Sequence, residues 1–396
     1  MKLVRNLKLS MGVLAVASLA ACGGGGGSGA ETGTLKLAVT DAPACGYDSV
    51  NVTIEKVRVH QSSTASDTDG GWSEIVLSPA LRVDLLALQN GALAELGEVT
   101  LPTGSYNQMR LVLADNAGAS SPANWVKLSS DKSVVELKTP SGQQSGVKAK
   151  QFNIDIGANQ LANFVIDFDA CKSVVIAGNS GKYLLKPQLT VIPRYVSGVK
   201  GSVDLSLANG FTTLSLQKDG VVVKATTPYS DSSDTTNFGK FLLSPVAPGS
   251  YTLVMTAPGR TTSVVTNVVV AADIVTPVST ALNPTASLSG TVTGTAKPAV
   301  EASVPLVRVL QRLEAGPVIE VAGRFVEITT GLYSYPLVVN APLVVPYGTS
   351  PLVFVADSTA AGRYTLEASL TGFADKKTAL TPLASGATIT THYTFP

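Results

Sequence analysis

Residues 151–169 read QFNIDIGANQLANFVIDFD. Phe152, Ile154 and Ile156 alternate with polar residues, and Phe164, Ile166 and Phe168 do so again. Successive side chains of a strand point to opposite faces, so a period of two gives each strand one face for a core and one for water. Outward from here the pattern recurs at Leu35, Leu37 and Val39, at Val50, Val52 and Ile54, at Leu111 and Leu113, and at Leu189 and Val191. Val57 and Val59 resume out of phase with Val50–Ile54, which predicts a bulge or twist at Glu55-Lys56. The run Leu81–Leu96 has mixed apolar spacing with room for one helical turn, and Asn90-Gly91 within it marks a turn. Half-buried strands of this kind pack as antiparallel sheets face to face, so the expected class is all-β, as tandem antiparallel β-sandwiches.

Composition bounds the function. Of 396 residues only 14% are charged, against about 25% in typical soluble domains. Lys and Arg number 29 and Asp and Glu 28, so no excess charge exists to meet phosphates, and a nucleic-acid partner is excluded. An apolar content of 45% rules out wholesale disorder.

The chain opens MKLVRNLKLSMGVLAVASLAAC. Lys2, Arg5 and Lys8 precede an apolar stretch, Leu9–Ala21, too short for the ~20 residues that span a bilayer. Residues 1–21 therefore read as a signal peptide. Leu19-Ala20-Ala21-Cys22 resembles the bacterial lipobox. That resemblance implies cleavage before Cys22, diacylation of its thiol and acylation of the new amine. Three acyl chains, at about 0.8 kcal/mol per buried CH₂, hardly leave a membrane. Gly23 stands where an Asp would resemble an inner-membrane retention signal, which points to the outer membrane. Residues 22–33 are the acylated cysteine and a flexible glycine-rich tether.

Cys45 and Cys171 remain as an even pair in an exported chain, which predicts one disulfide. Closing so long a loop is worth at most about 5 kcal/mol. The two cysteines and the two histidines, His60 and His392, lack metal-ligand spacing.

Within residues 34–196 a set of landmarks becomes familiar: Thr40-Asp41-Ala42-Pro43, Trp72, Asp84-Leu85-Leu86, Leu101-Pro102-Thr103-Gly104-Ser105-Tyr106 and Asp167-Phe168-Asp169. As a set they resemble a family of bacterial lipoprotein domains of unknown function. The resemblance implies an exported β-sandwich and brings no activity or cofactor. The stretch ending at Tyr106 also resembles a tyrosine corner, in which the hydroxyl bonds back to the backbone, a structural role.

Residues 197–284 carry Val199-Lys200-Gly201-Ser202-Val203, an Asp219-Gly220 hairpin turn and Pro248-Gly249-Ser250-Tyr251-Thr252-Leu253. They resemble the carboxypeptidase-regulatory-like, transthyretin-type sandwich. Residues 285–396 repeat the pattern in Leu288-Ser289-Gly290-Thr291-Val292 and Gly362-Arg363-Tyr364-Thr365-Leu366, with glycines eight residues after both tyrosines, at Gly259 and Gly372. The middle of this third unit is longer. Prolines at Pro342 and Pro346 in its apolar runs suit edge strands or bulges.

Candidate sites are few. Asp167 and Asp169 point the same way, and a Cys45–Cys171 bond would bring Asp41 toward them. Three carboxylates suit Ca²⁺, yet no D-x-D-x-D-G loop is present, and aspartates at strand ends also serve local N–H groups. Tyr333, Tyr335 and Tyr347 form either an aromatic platform for sugars or a cover for sheet. No G-x-S-x-G accompanies either histidine, so no catalytic residue is assigned. The function expected is a non-catalytic structural or protein-interaction array at the cell envelope. The alternative is a polysaccharide-binding accessory. In the exported protein, alkylation without reduction should leave Cys45 and Cys171 unmodified and their peptides linked; two alkylated thiols would contradict the pairing.

Overall fold

The computed structural model describes residues 31–41, 47–116, 122–140, 146–149, 152–177, 181–299, 304–314, 316–348 and 350–396. The leader, Cys22, the glycine tether, Cys45 and the side chain of Cys171 lie outside the described residues, and with them the acylation and disulfide expectations. The regular structure is nearly all strand, arranged in several sheets. No helix among the described residues is long and apolar enough to cross a membrane.

In the first unit a four-stranded sheet has the order Leu189–Pro193, Leu161–Phe168, Thr32–Asp41, Ala94–Pro102. The predicted alternation is realised: Leu35, Leu37, Val39, Ile166 and Phe168 are fully buried in one core. Burying each such side chain is worth about 1.5–3 kcal/mol. Two pairings depart from the antiparallel expectation: Lys182–Leu185 runs parallel to Val134–Lys138, and the longer case is in this sheet. Thr32–Asp41 runs parallel to Leu161–Phe168, from Thr34 beside Leu161 to Asp41 beside Phe168. Parallel neighbours need a long crossover, and most of the opposing sheet lies between them in sequence.

The long strand Tyr47–His60 is the spine of that opposing sheet. Its first half pairs with Trp125–Leu128 and its second with Gln108–Leu113, while Ser73–Asp84 lies alongside. Both flanking ladders shift register between Ile54 and Lys56, where the broken alternation places a bulge. The extra residue lets Ile54 and Val57 both face the core. In the Leu81–Leu96 run one 3₁₀ turn forms, Leu85–Leu88, capped by Asp84 Oδ1 accepting from the Leu86 N–H at 3.2 Å. Asn90 and Gly91 follow with φ of 54° and 80°. The corner is also formed: the Tyr106 hydroxyl donates to the Pro102 carbonyl at 3.2 Å.

The second and third units share one topology, as the internal repeat predicts. Gly198–Ser202 lies between an antiparallel partner, Lys240–Leu243, and a parallel one, Val275–Pro277. Ser289–Lys297 lies in the same way between Leu332–Val338 and Thr388–Thr394. The facing sheets run Val221–Thr226, Thr213–Lys218, Gly249–Thr256, Ser263–Val270 and Val318–Phe325, Leu306–Arg312, Thr365–Ser369, Lys376–Ala379. Each leading hairpin carries a register shift, at Leu216/Gln217 and at Val309/Leu310. Asp219 and Gly220, with φ of 53° and 75°, make the hairpin turn that their sequence predicts. Tyr251 repeats the corner of Tyr106, donating to the Ala247 carbonyl at 2.9 Å.

The longer middle of the third segment leaves its own sandwich. Leu343–Pro346 pairs in parallel with Ser263–Thr266, and Val355–Ala356 closes the edge. Val345 and Leu352 are buried in the core of the second unit. The second sandwich is thus completed from sequence beyond residue 284. Pro346 sits at the end of this added strand, in keeping with its lost N–H. A charge at Val345 is therefore expected to open the second unit: Val345→Asp should speed hydrogen exchange across Ser263–Val270, while Val353→Asp, at a site 69% exposed, should not. Equal protection in the two variants would contradict the strand donation.

Candidate functional site: a charged seam between three units

The three aspartates read as calcium ligands are held by lysines and local N–H groups. Lys224, in the second unit, is 1% exposed at its side chain and reaches into the first. Its ammonium donates to Asp167 Oδ1 at 3.0 Å, to the Asp41 carbonyl at 3.2 Å and to Thr40 Oγ1 at 3.5 Å. The Asp41 carboxylate accepts from the Ala170 N–H at 2.9 Å. Asp169 caps the short helix Ala170–Ser173, accepting from the Lys172 N–H at 2.9 Å. Among the described residues no group of three acidic, His or Cys side chains is arranged to hold a metal. Asp167 and Asp169 meet ammonium groups, and the Asp41 carboxylate meets a backbone N–H.

From Asp169 a line of alternating charge crosses from the first unit into the third. Lys172 Nζ lies 3.7 Å from Asp169 and 3.1 Å from Glu320. Glu320 takes Arg308 at 2.6 Å, Arg308 takes Glu367 at 2.6 Å, and Glu367 takes Lys377 at 2.7 Å. A guanidinium N–H of Arg308 also donates to the Gly220 carbonyl of the second unit. Gln217, buried in that unit, donates to the Glu320 carbonyl at 2.8 Å and accepts from its N–H at 2.7 Å. Both carboxylates, Glu320 and Glu367, are nearly buried. Taking such charges from water costs several kcal/mol each, so the arrangement persists only with all its partners present.

The titration of these groups follows their surroundings. Burial raises the Asp169 carboxyl above its ordinary value, against the pull of Lys172. Burial pushes Lys172 down, but Glu320 and Asp169 overcome it and hold the ammonium above 10.5. Burial pushes Glu367 up, but the hydrogen bond from Lys377 and the charge of Arg308 bring it below 4.5.

A neutral plug accompanies the seam. The turn at Gln89-Asn90 enters the second unit: Gln89 Oε1 accepts from the Thr227 N–H and hydroxyl, and Asn90 Oδ1 accepts from the Leu242 N–H at 2.9 Å. Between the first and third units, the Ile328 N–H donates to the Ile176 carbonyl, and Val175 and Leu184 enter the third unit's core.

Of the two readings of the tyrosines, the geometry matches the cover for sheet. Tyr333 and Tyr335 are 2% and 5% exposed, donating to the Thr391 and Val307 carbonyls. Tyr347 packs against the second core and donates to the Pro277 carbonyl at 3.1 Å. The histidines are engaged locally. His60 packs at a tilt against Trp72 with ring centres 5.0 Å apart and accepts from the Ser62 N–H. His392 pairs with Thr295, its cross-strand neighbour, at 2.9 Å.

The seam residues escaped the sequence reading, although each leaves a trace. Lys224, Arg308, Glu320 and Glu367 are charges flanked on both sides by apolar residues, as in Val307-Arg308-Val309 and Ile319-Glu320-Val321. On a lone sandwich their faces would meet water; here a second unit covers them.

Residues 32–187 match a family described as a domain of unknown function, DUF4382. The match contains the landmarks of the first unit. No curated protein matches the chain. Among solved structures, the Bacillus anthracis TIE protein is 13% identical over 92% of this chain and 51% of its own, with a TM-score of 0.18. The chain thus spans about half the length of that protein. A Streptococcal ancillary pilin is 11% identical over 91% of this chain and 99% of its own, with a TM-score of 0.15. The major pilin SpaD from Corynebacterium diphtheriae is 9% identical over 92% and 97%, with a TM-score of 0.15.

Two outcomes follow for the seam. Lys224→Ala should cost ~3–5 kcal/mol in urea unfolding by stranding Asp167, with partial recovery in Lys224→Ala/Asp167→Asn; an unchanged midpoint in the single variant would contradict the lock. The contribution of Glu367, with its lowered value, should be full above pH 4.5 and fall as acid titrates it in the folded state; that of Lys172 should be full below pH 10.5 and fall as base does. Asp169, raised in the fold, gives the opposite acid-side slope. Removing Glu367 in a Glu367→Gln variant should therefore flatten the acid loss of stability, and an unaltered pH profile would contradict its assignment.

Proposed function

We propose that this protein is a non-catalytic, lipid-anchored envelope lipoprotein whose three β-sandwich units present one continuous body for structural or protein contact. The observation that carries this reading is the seam. Charged side chains that could serve as acids or bases are spent on one another: Lys224 on Asp167 and Lys172 on Glu320 across unit boundaries, and Arg308 on Glu320 and Glu367 within the third unit. A hydrolytic centre needs such groups aimed at a substrate, not at each other.

The lipobox-like Leu19-Ala20-Ala21-Cys22 supports the anchor, and Gly23 supports an outer-membrane destination. From Cys22 to Thr32 the chain reaches at most about 35 Å, which keeps the body close to the lipid surface. The common strand order of the second and third units supports their reading as transthyretin-type, regulatory-like modules, which act as spacers or contact surfaces.

Expression in a Gram-negative host tests the anchor. The wild-type chain is expected in the outer-membrane fraction, with its first residue a triacylated Cys22. Cys22→Ser should abolish acylation and signal removal at that site. An unmodified Cys22 in the purified native protein would overturn the proposal.

A further inference from the structure

At the junction of the first and second units lies a cleft of about 560 Å³, within the roughly 300–1,000 Å³ common for ligand pockets. Its walls hold two aromatic rings that no core claims. Phe211 is 64% exposed and Tyr229 is 38% exposed. Both are well placed by their backbones. Asn209 Oδ1 accepts from the Phe211 and Thr212 N–H groups at 2.9 and 3.1 Å, which fixes the turn carrying Phe211. The Tyr229 N–H donates to the Lys240 carbonyl, and its own carbonyl accepts from the Gly239 N–H. Large apolar faces held in water by ordered turns are ready to stack at little entropic cost.

The rim narrows the occupant. Asp48 and Asp231 bring two carboxylates and Lys132 one ammonium, with Lys132 3.1 Å from Asp48. The hydrogen bonds from Lys132 and Ser129 hold the Asp48 carboxyl below its ordinary value, and those from Ser233 do so for Asp231, so both carry charge at neutral pH. An anionic ligand such as a phosphate or a uronic acid meets a net negative wall. An extended peptide finds no ladder either. The wall at residues 86–90, 129–132, 210–211 and 227–231 is made of turns and coil, and Tyr47, at a strand start, already pairs with Leu128. What remains is a neutral ligand with flat apolar faces and a rim of hydroxyls.

We propose that this cleft binds a neutral oligosaccharide, with Phe211 and Tyr229 stacked on sugar faces and Asp48, Lys132 and Asp231 bonded to its hydroxyls. This goes beyond the envelope reading and stands apart from the buried Tyr333 and Tyr335. It uses rings that the second unit leaves exposed beside the plug at Gln89-Asn90. It therefore depends on the first and second units being joined.

The test is calorimetric titration of the full mature protein with maltohexaose, cellohexaose and laminarihexaose, with oligogalacturonate and a hexapeptide as contrasts. At least one neutral hexasaccharide is expected to bind, and Phe211→Ala and Tyr229→Ala should each weaken it by about tenfold, the scale of one lost aromatic contact. Thermal melting should be unchanged in Phe211→Ala, since that ring is 64% exposed. Three results would overturn the proposal: no neutral saccharide binds, only the acidic saccharide or the peptide binds, or binding survives in the Phe211→Ala/Tyr229→Ala double variant. None of these bears on acylation of Cys22, so failure here is distinct from failure of the lipid anchor.

Discussion

Glu320 ties the three units at one residue. Its carboxylate faces Lys172 of the first unit and Arg308 of the third, and its backbone exchanges two hydrogen bonds with Gln217 of the second. A carboxylate this buried is costly to keep charged, and breaking a buried pair by removing one member costs about 3–5 kcal/mol. The same holds for Lys224 against Asp167. Lys224 with Asp167, and Lys172 with Glu320, are paired only while their units are assembled, so separating the units carries an electrostatic penalty. The donated strand Leu343–Pro346 adds a second, apolar reason for the second and third units to stay together.

Much of each sandwich was legible in local sequence because strand alternation is a local property. The shift from Ile54 to Val57 located a bulge, the Gly-Ser-Tyr stretch at Tyr106 located a corner, and the repeat about Tyr251 and Tyr364 anticipated a shared topology. What alternation leaves open is which face is covered. In Leu332-Tyr333-Ser334-Tyr335 it sets Leu332 and Ser334 opposite the tyrosines without saying which pair meets the core. The core took the tyrosines, because their hydroxyls reach the Thr391 and Val307 carbonyls, while Leu332 was left 52% exposed. Long-range facts were less legible still. The parallel pairing of Thr32–Asp41 with Leu161–Phe168 and the export of Leu343–Pro346 to another sandwich depend on chain segments far apart in sequence.

The same limit explains the seam. Asp167 and Asp169 stood out as acids on one strand face, and a metal was a reasonable cation to place beside them. The actual cations come from Lys224 and Lys172, the first of them 57 residues away in another unit. A charged residue inside an apolar strand of a multi-unit protein is therefore a pointer to a neighbouring unit as well as to a ligand.

Joining the units consumes the buried charges, and it also frames the cleft beside Phe211 and Tyr229. Differential scanning calorimetry of the mature protein tests the central claim, that the seam makes three sandwiches one cooperative body. One transition is expected, with a van't Hoff enthalpy equal to the calorimetric enthalpy. Separate transitions for the individual sandwiches would contradict it.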